Sequence, residues 1–173
     1  MNRIAKFVWP AALALTFTAP PMARGQQPRT PTQMINSYFN GINRKILEMA
    51  KDFPEEKYGY RPTKDVRSFG EVIVHVTSGN VYAAKAGRGE KVQWDELDPK
   101  NYKTKAEIVA ALEKSIADAS ATLKTVPEER FAKTLDPWMS VIEHSAEHYG
   151  QLVVYYRGSG LVPPSSRSKS KSN

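Results

Sequence analysis

The sequence predicts an all-α protein, a single four-helix bundle. Three observations carry that reading. Four segments repeat apolar side chains at three- and four-residue steps, the spacing of one helix face. Two of them open with a Ser/Thr-x-x-Glu pattern, Ser68 to Glu71 and Thr104 to Glu107, in which each side chain satisfies a free backbone N–H of the other residue. Moderate loops join the segments, so each apolar face is buried against the other helices.

The first helix spans about Thr32 to Phe53, with Ile35, Tyr38, Phe39, Ile42, Ile46, Met49 and Phe53 on its apolar face, and Pro54 stops it. The second starts after Ser68 and uses Phe69, Val72, Ile73, Val76, Val81 and Ala84, ending at Gly87 or Gly89. The run Val72-Ile73-Val74 favours strand locally. The cap and the later spacing decide for helix. Residues 88–103 read as a polar loop carrying Trp94, Pro99 and Tyr102. The third helix follows Thr104, with Ile108, Leu112, Ile116, Ala119 and Leu123 as its stripe, and closes at Pro127. The fourth is expected to take Asp136 as N-cap and Pro137 as first residue. It continues through Trp138, Val141, Ile142, Ser145, His148, Tyr149, Leu152 and Tyr156 to Gly158 and Gly160.

The ends read differently from residues 26–164, the expected folded domain. Arg3 and Lys6 precede an apolar run from Phe7 to Thr18, and Ala23 and Gly25 stand at the −3 and −1 positions of a cut before Gln26. That is the order of a secretory signal peptide, residues 1–25. The run is about half of the ~20 residues of a membrane-spanning helix. Cleavage leaves no stable membrane anchor, and the protein is expected to be exported, periplasmic or secreted. Residues 165–173 read as a disordered Ser/Lys tail.

The chain has no cysteine, which excludes a thioether lipid anchor, disulfides and thiolate metal ligands. The formal charge of +7 belongs mostly to the ends: Arg3, Lys6 and Arg24 on one side and Arg167, Lys169 and Lys171 on the other leave +1 for residues 26–164. A near-neutral domain lacks the basic face of a specific nucleic-acid binder. The expected partner is a small-molecule ligand, and a homodimer is left open.

The chain has three histidines, His75, His144 and His148. His144 and His148 are four apart on the fourth helix, so both rings leave one face a turn apart. Metal sites in bundles are built from side chains on facing helices, and His75 would supply a third ligand from the second helix. Neutral imidazoles leave the charge of a divalent ion uncompensated, which favours an acidified water or an anionic ligand. Zinc, nickel, iron(II) and manganese all suit such a set. The alternative is ordinary surface or hydrogen-bonded core histidines. His144, Glu147 and His148 also spell H-x-x-E-H, an inverted zinc-protease pattern. The chain has no Asp or Glu after His148 to complete that site.

The stretch His144-Ser-Ala-Glu-His148-Tyr-Gly150-Gln151-Leu-Val-Val-Tyr-Tyr-Arg157 resembles the signature of DinB-like proteins, a histidine pair followed by Gly-Gln and a terminal Tyr-x-Arg. Gly160-Leu-Val-Pro163-Pro164 is similar, as is Arg61-Pro62 followed by Ser68-Phe-Gly-Glu71-Val-Ile-Val-His75. The resemblance spans roughly residues 32–164. It implies a four-helix bundle holding one divalent ion, usually zinc or nickel, on His75, His144 and His148. Related proteins include thiol-dependent transferases and isomerases that use bacillithiol or mycothiol, and many of unassigned activity.

Catalytic candidates are weaker. Glu71 lies one turn before His75, about 40° round the helix, and is a candidate general base, although the capping box already uses its carboxylate. Gln151, about 20° from His144, could orient a ligand or support the site from outside. Tyr155 shares that face and could donate a phenolic proton or pack in the core. Arg157 could hold an anion or simply face the helix dipole. Trp94 and Trp138 could wall a pocket. The first functional reading is a metal-dependent hydrolase of unknown substrate, because low-molecular-weight thiols belong to the cytosol and the chain is expected outside it. The alternatives are a non-catalytic metal- or ligand-binding bundle and a thiol-dependent transferase.

Overall fold

Every long helix starts where a side chain can satisfy its first N–H groups, with one exception. The computed structural model describes residues 28–168, so the expected signal peptide and the end of the tail lie outside the described residues. Helix α1 (Pro31–Asp52) opens with a reciprocal cap, Thr30 with Gln33, and Pro31 in its first turn. Helix α2 (Phe69–Gly87) and helix α3 (Lys105–Thr125) open with the Ser68–Glu71 and Thr104–Glu107 boxes that the sequence predicts. A short helix α4 (Glu128–Lys133) precedes α5 (Leu135–Gly158). Single 3₁₀ turns occur at Glu55–Lys57, Pro99–Asn101 and Pro164–Ser166. There is no strand among the described residues.

The fourth long helix corrects the sequence reading. Asp136 is not its N-cap, and Pro137 is not its first residue. The helix begins at Leu135, Thr134 stands at the cap position, and no side chain caps it. The cause is α4. Pro127 accepts a bond from the N–H of Phe131 at 2.8 Å, which lets a short helix form and bury Phe131. The chain then turns at Thr134, whose hydroxyl bonds back to the carbonyls of Arg130 and Phe131. Asp136 and Pro137 therefore fall inside the first turn. A carboxylate faces the positive end of the helix dipole there, and a missing N–H costs nothing there.

Helix α1 packs on α3 and α5, and α2 packs on the same two, so α1 and α2 stand on a diagonal. Helix α2 is the central element, with Val72, Ile73, Val74 and Val76 all buried. Burial on every side overrides the strand preference of that run. Tyr38 is a second correction: the α1 stripe assigns it to the core, yet it is 68% exposed. It lies with Met34, Leu135 and Met139 along an apolar surface groove between α1 and α5.

The core has two parts. One is built from Phe53, Tyr58, Phe69, Tyr155, Tyr156 and aliphatic residues of α1, α2 and α3. The other is built from Phe39, Ala83, Ala84, Ala119, Leu123, Phe131, Trp138 and Val141. On each long helix a buried polar residue stands between them: Asn43, Asn80, Ser115 and Ser145. Asn80 donates to Asn43 Oδ1 at 3.0 Å and to Ser115 Oγ at 3.2 Å. Beyond α5 the ordered chain runs past Ser165, where the sequence reading starts the tail, and Arg167 binds Asp52 of α1.

Candidate metal centre

Because α2 and α5 are packed neighbours, the second turn of α2 faces the middle of α5. His75 projects from the first, and His144 and His148 from the second. One ligand atom from each of the three lies within 4.8 Å of the other two. Ring centroids are 4.7, 4.8 and 4.4 Å apart for His75–His144, His75–His148 and His144–His148. His144 Nε2 is 2.9 Å from His75 Nε2.

The outward nitrogens of two rings are held. His75 Nδ1 lies 2.9 Å from Glu96 Oε1, and His148 Nδ1 lies 2.7 Å from Gln151 Oε1. Carboxylate and amide oxygens only accept, so each Nδ1 carries the proton and each Nε2 keeps its lone pair, that of His75 facing His144. His144 differs. Its Nδ1 is buried without a partner, beside Gly79, where an added Cβ would stand only 3.1 Å away. With His75 accepting at Nε2, the 2.9 Å contact is made by a His144 proton on Nε2. Ligation through His144 Nε2 would move that proton to Nδ1. Imidazole donors of this kind fit a divalent transition ion.

Burial, then the neighbouring histidines, pushes His144 down to about 4. His75 is lowered by burial and the nearby Arg67 charge, with Glu96 acting the other way. Both rings are therefore neutral, the ligating form, at neutral pH. His75 keeps 12% of its side-chain surface exposed, and His144 and His148 are only half-buried, so solvent reaches the site. Trp94 borders it, with its ring centroid 5.8 Å from that of His75 and 5.3 Å from that of His144.

Glu71, Gln151 and Tyr155, the catalytic candidates of the sequence, are each engaged in hydrogen bonds. Glu71 completes its cap and is paired with Arg61. The Arg61 bond, with help from Ser68, holds its carboxyl below the usual range despite partial burial. Gln151 supports His148 from behind. The Tyr155 hydroxyl donates to the carbonyl of Arg67 and accepts from Gln151 Nε2 at 3.3 Å. Glu147 and Arg157 are exposed on α5, and Trp138 is fully buried in the second core cluster.

Glu96 and Arg67 are what sequence reasoning missed. Arg67 Nη2 donates to both Glu96 oxygens, at 3.0 and 3.3 Å. Burial opposes the charge on Glu96, but His75 and Arg67 together keep its carboxyl below the usual range. Glu96 lies in an irregular loop without periodicity, 21 residues from His75. The only available signal was general: a ligating histidine usually has a carboxylate or carbonyl behind it.

Fold and site together define an all-helical protein with a three-histidine cluster between two packed helices. A family model described as the DinB superfamily matches residues 39–155, and the chain belongs to that superfamily. No curated protein matches the sequence.

Proposed function

We propose that this protein holds one divalent metal ion on His75, His144 and His148 and acts as an exported metal-dependent hydrolase of a small molecule. The observation that carries the metal reading is the pair of outer bonds, Glu96 on His75 and Gln151 on His148, which leave the Nε2 lone pair of both rings free in a cluster whose ligand atoms lie within 4.8 Å of one another. Zinc or nickel is the first choice, and iron(II) or manganese suits the same donors. A bound ion would supply Lewis acidity and an acidified water. The chain's own groups set the surroundings: half-exposed Trp94 gives an apolar wall, and Glu96 and Arg67 give a charged rim.

A non-catalytic metal- or ligand-binding bundle is the second reading. It is favoured by the engagement of every polar candidate near the cluster: Glu71 in a cap, Gln151 on His148, Tyr155 on a backbone carbonyl, and Glu96 on His75 and Arg67. A thiol-dependent transferase is the third, and it requires a thiol in the protein's compartment. Metal analysis of the mature protein beside His75→Ala and His148→Ala tests the site. We expect one ion per wild-type chain and loss from both variants; retained metal in either variant overturns the assignment. A screen of the metal-loaded protein against ester, amide and phosphoester substrates, with and without a low-molecular-weight thiol, separates the three readings. Cell fractionation with N-terminal sequencing tests export and cleavage before Gln26.

A further inference from the structure

The outer supports of His75 and His148 are far apart in sequence, yet both end on one residue. On the first path, His75 Nδ1 meets Glu96 at 2.9 Å, and Glu96 accepts from the Arg67 guanidinium. On the second path, His148 Nδ1 meets Gln151 at 2.7 Å. The Gln151 amide donates to the Tyr155 hydroxyl, which donates to the Arg67 carbonyl. Arg67 thus closes both paths, one with its side chain and one with its main chain.

Its place in the chain makes this effective. Arg67 directly precedes Ser68, the N-cap of α2. The neighbouring backbone is fixed by the N–H of Phe69 on the Tyr60 carbonyl at 3.0 Å and by the N–H of Gly70 on the Tyr58 carbonyl at 2.9 Å. The Arg67 carbonyl is therefore a fixed acceptor, whereas its side chain is 45% exposed. An exposed Arg–Glu pair contributes little to stability. Its geometric effect is larger, because without it the Glu96 carboxylate sits on an irregular loop with only the imidazole to hold it.

We propose that Arg67 is a positioning residue for the histidine cluster, setting the ring orientation of His75 through Glu96 and of His148 through Tyr155 and Gln151. The proposal rests on the three-histidine metal reading for its functional meaning. Residues behind a metal ligand typically alter affinity by roughly 10–100-fold, and residues acting through one another give non-additive variants.

The test uses the mature protein, Co²⁺ as probe, and the variants Arg67→Met, Arg67→Lys, Glu96→Gln, Tyr155→Phe and Arg67→Met with Glu96→Gln. Competition titration is expected to show Co²⁺ affinity falling roughly 10-fold or more in Arg67→Met. Arg67→Lys should recover part of the loss, and the double variant should bind no worse than the weaker single one. Tyr155→Phe should alter the Co²⁺ visible spectrum through the His148 arm. In the chelated protein, ¹⁵N imidazole NMR should show His75 losing its Nδ1–H preference in Arg67→Met. Co²⁺ affinity and His75 tautomer both unchanged in Arg67→Met, or additive losses in the double variant, overturn the proposal. A wild-type protein that binds no Co²⁺ overturns the metal reading alone, and the tautomer measurement then decides whether Arg67 positions the rings.

Discussion

The two halves of the core are held together in opposite ways. Around Phe53 and Phe69, large rings fill the space: the two stack at 3.8 Å, and Tyr58, Tyr155 and Tyr156 pack against one or both of them. The three tyrosine hydroxyls there reach backbone carbonyls of Ala50, Arg67 and Met49, tying loop and helix ends to the centre. Around Trp138, by contrast, the helices come close because their residues are small. Ala83, Ala84 and Ala119 line that half, and a Cβ added to Gly87 would lie 2.6 Å from the Trp138 ring. The first half tolerates little loss of volume, and the second little gain. The histidine cluster lies at their border, where Gly79 of α2 meets His144.

This contrast can be broken from either side. The largest effect is expected for Phe69→Ala, which empties the aromatic half and should cost about 3–5 kcal/mol in denaturant unfolding. Gly87→Ala tests the other half. The rigid Trp138 ring must shift, and a loss of about 1–3 kcal/mol is expected; an unchanged midpoint would show that this half has spare room. Gly79→Ala sharpens the border. Helix propensity gains up to about 1 kcal/mol, which offsets the crowding of His144, so stability should hold while metal affinity falls.

The smallest effect is expected at the surface, for Asp52→Asn. Arg167, with help from the Tyr156 hydroxyl, holds the Asp52 carboxyl below its usual value despite partial burial. A depressed folded pKa gives stability that is complete above the unfolded value, about 3.9. That stability is lost as pH falls through the folded value. The variant should therefore be slightly less stable than wild type at pH 7 and equal to it in strong acid. A difference that persists at low pH would assign the effect to packing.

Much of this was legible in the sequence, because helix-making signals are local. The Ser68–Glu71 and Thr104–Glu107 boxes and the i, i+4 histidine pair all act within one or two turns, and all appear where expected; the apolar spacing finds the helices but misassigns Tyr38. The Thr30–Gln33 box was equally readable and moves the start of α1 to Pro31. What escaped depends on contacts distant in sequence. Helix α4 forms because Phe131 finds a hydrophobic pocket on other helices. The capping role expected of Asp136 disappears as a consequence. Glu96 and Arg67 meet the histidines only through the path of an irregular loop. The Asn43–Asn80–Ser115 bonds cross three helices and leave no trace in the spacing along any one of them.

The diagonal placing of α1 and α2 governs the order in which the molecule can be completed during synthesis. The first two helices share little beyond the Phe53–Phe69 stack at their ends and the Asn43–Asn80 bond, and each finds most of its neighbours in α3 and α5. His75 is made 69 residues before His144, and the helix carrying the histidine pair is the last long one to emerge. A nascent or truncated chain ending before α5 holds a single histidine, too few to retain an ion. Assembly of the three-histidine cluster is therefore reserved for chains that include α5.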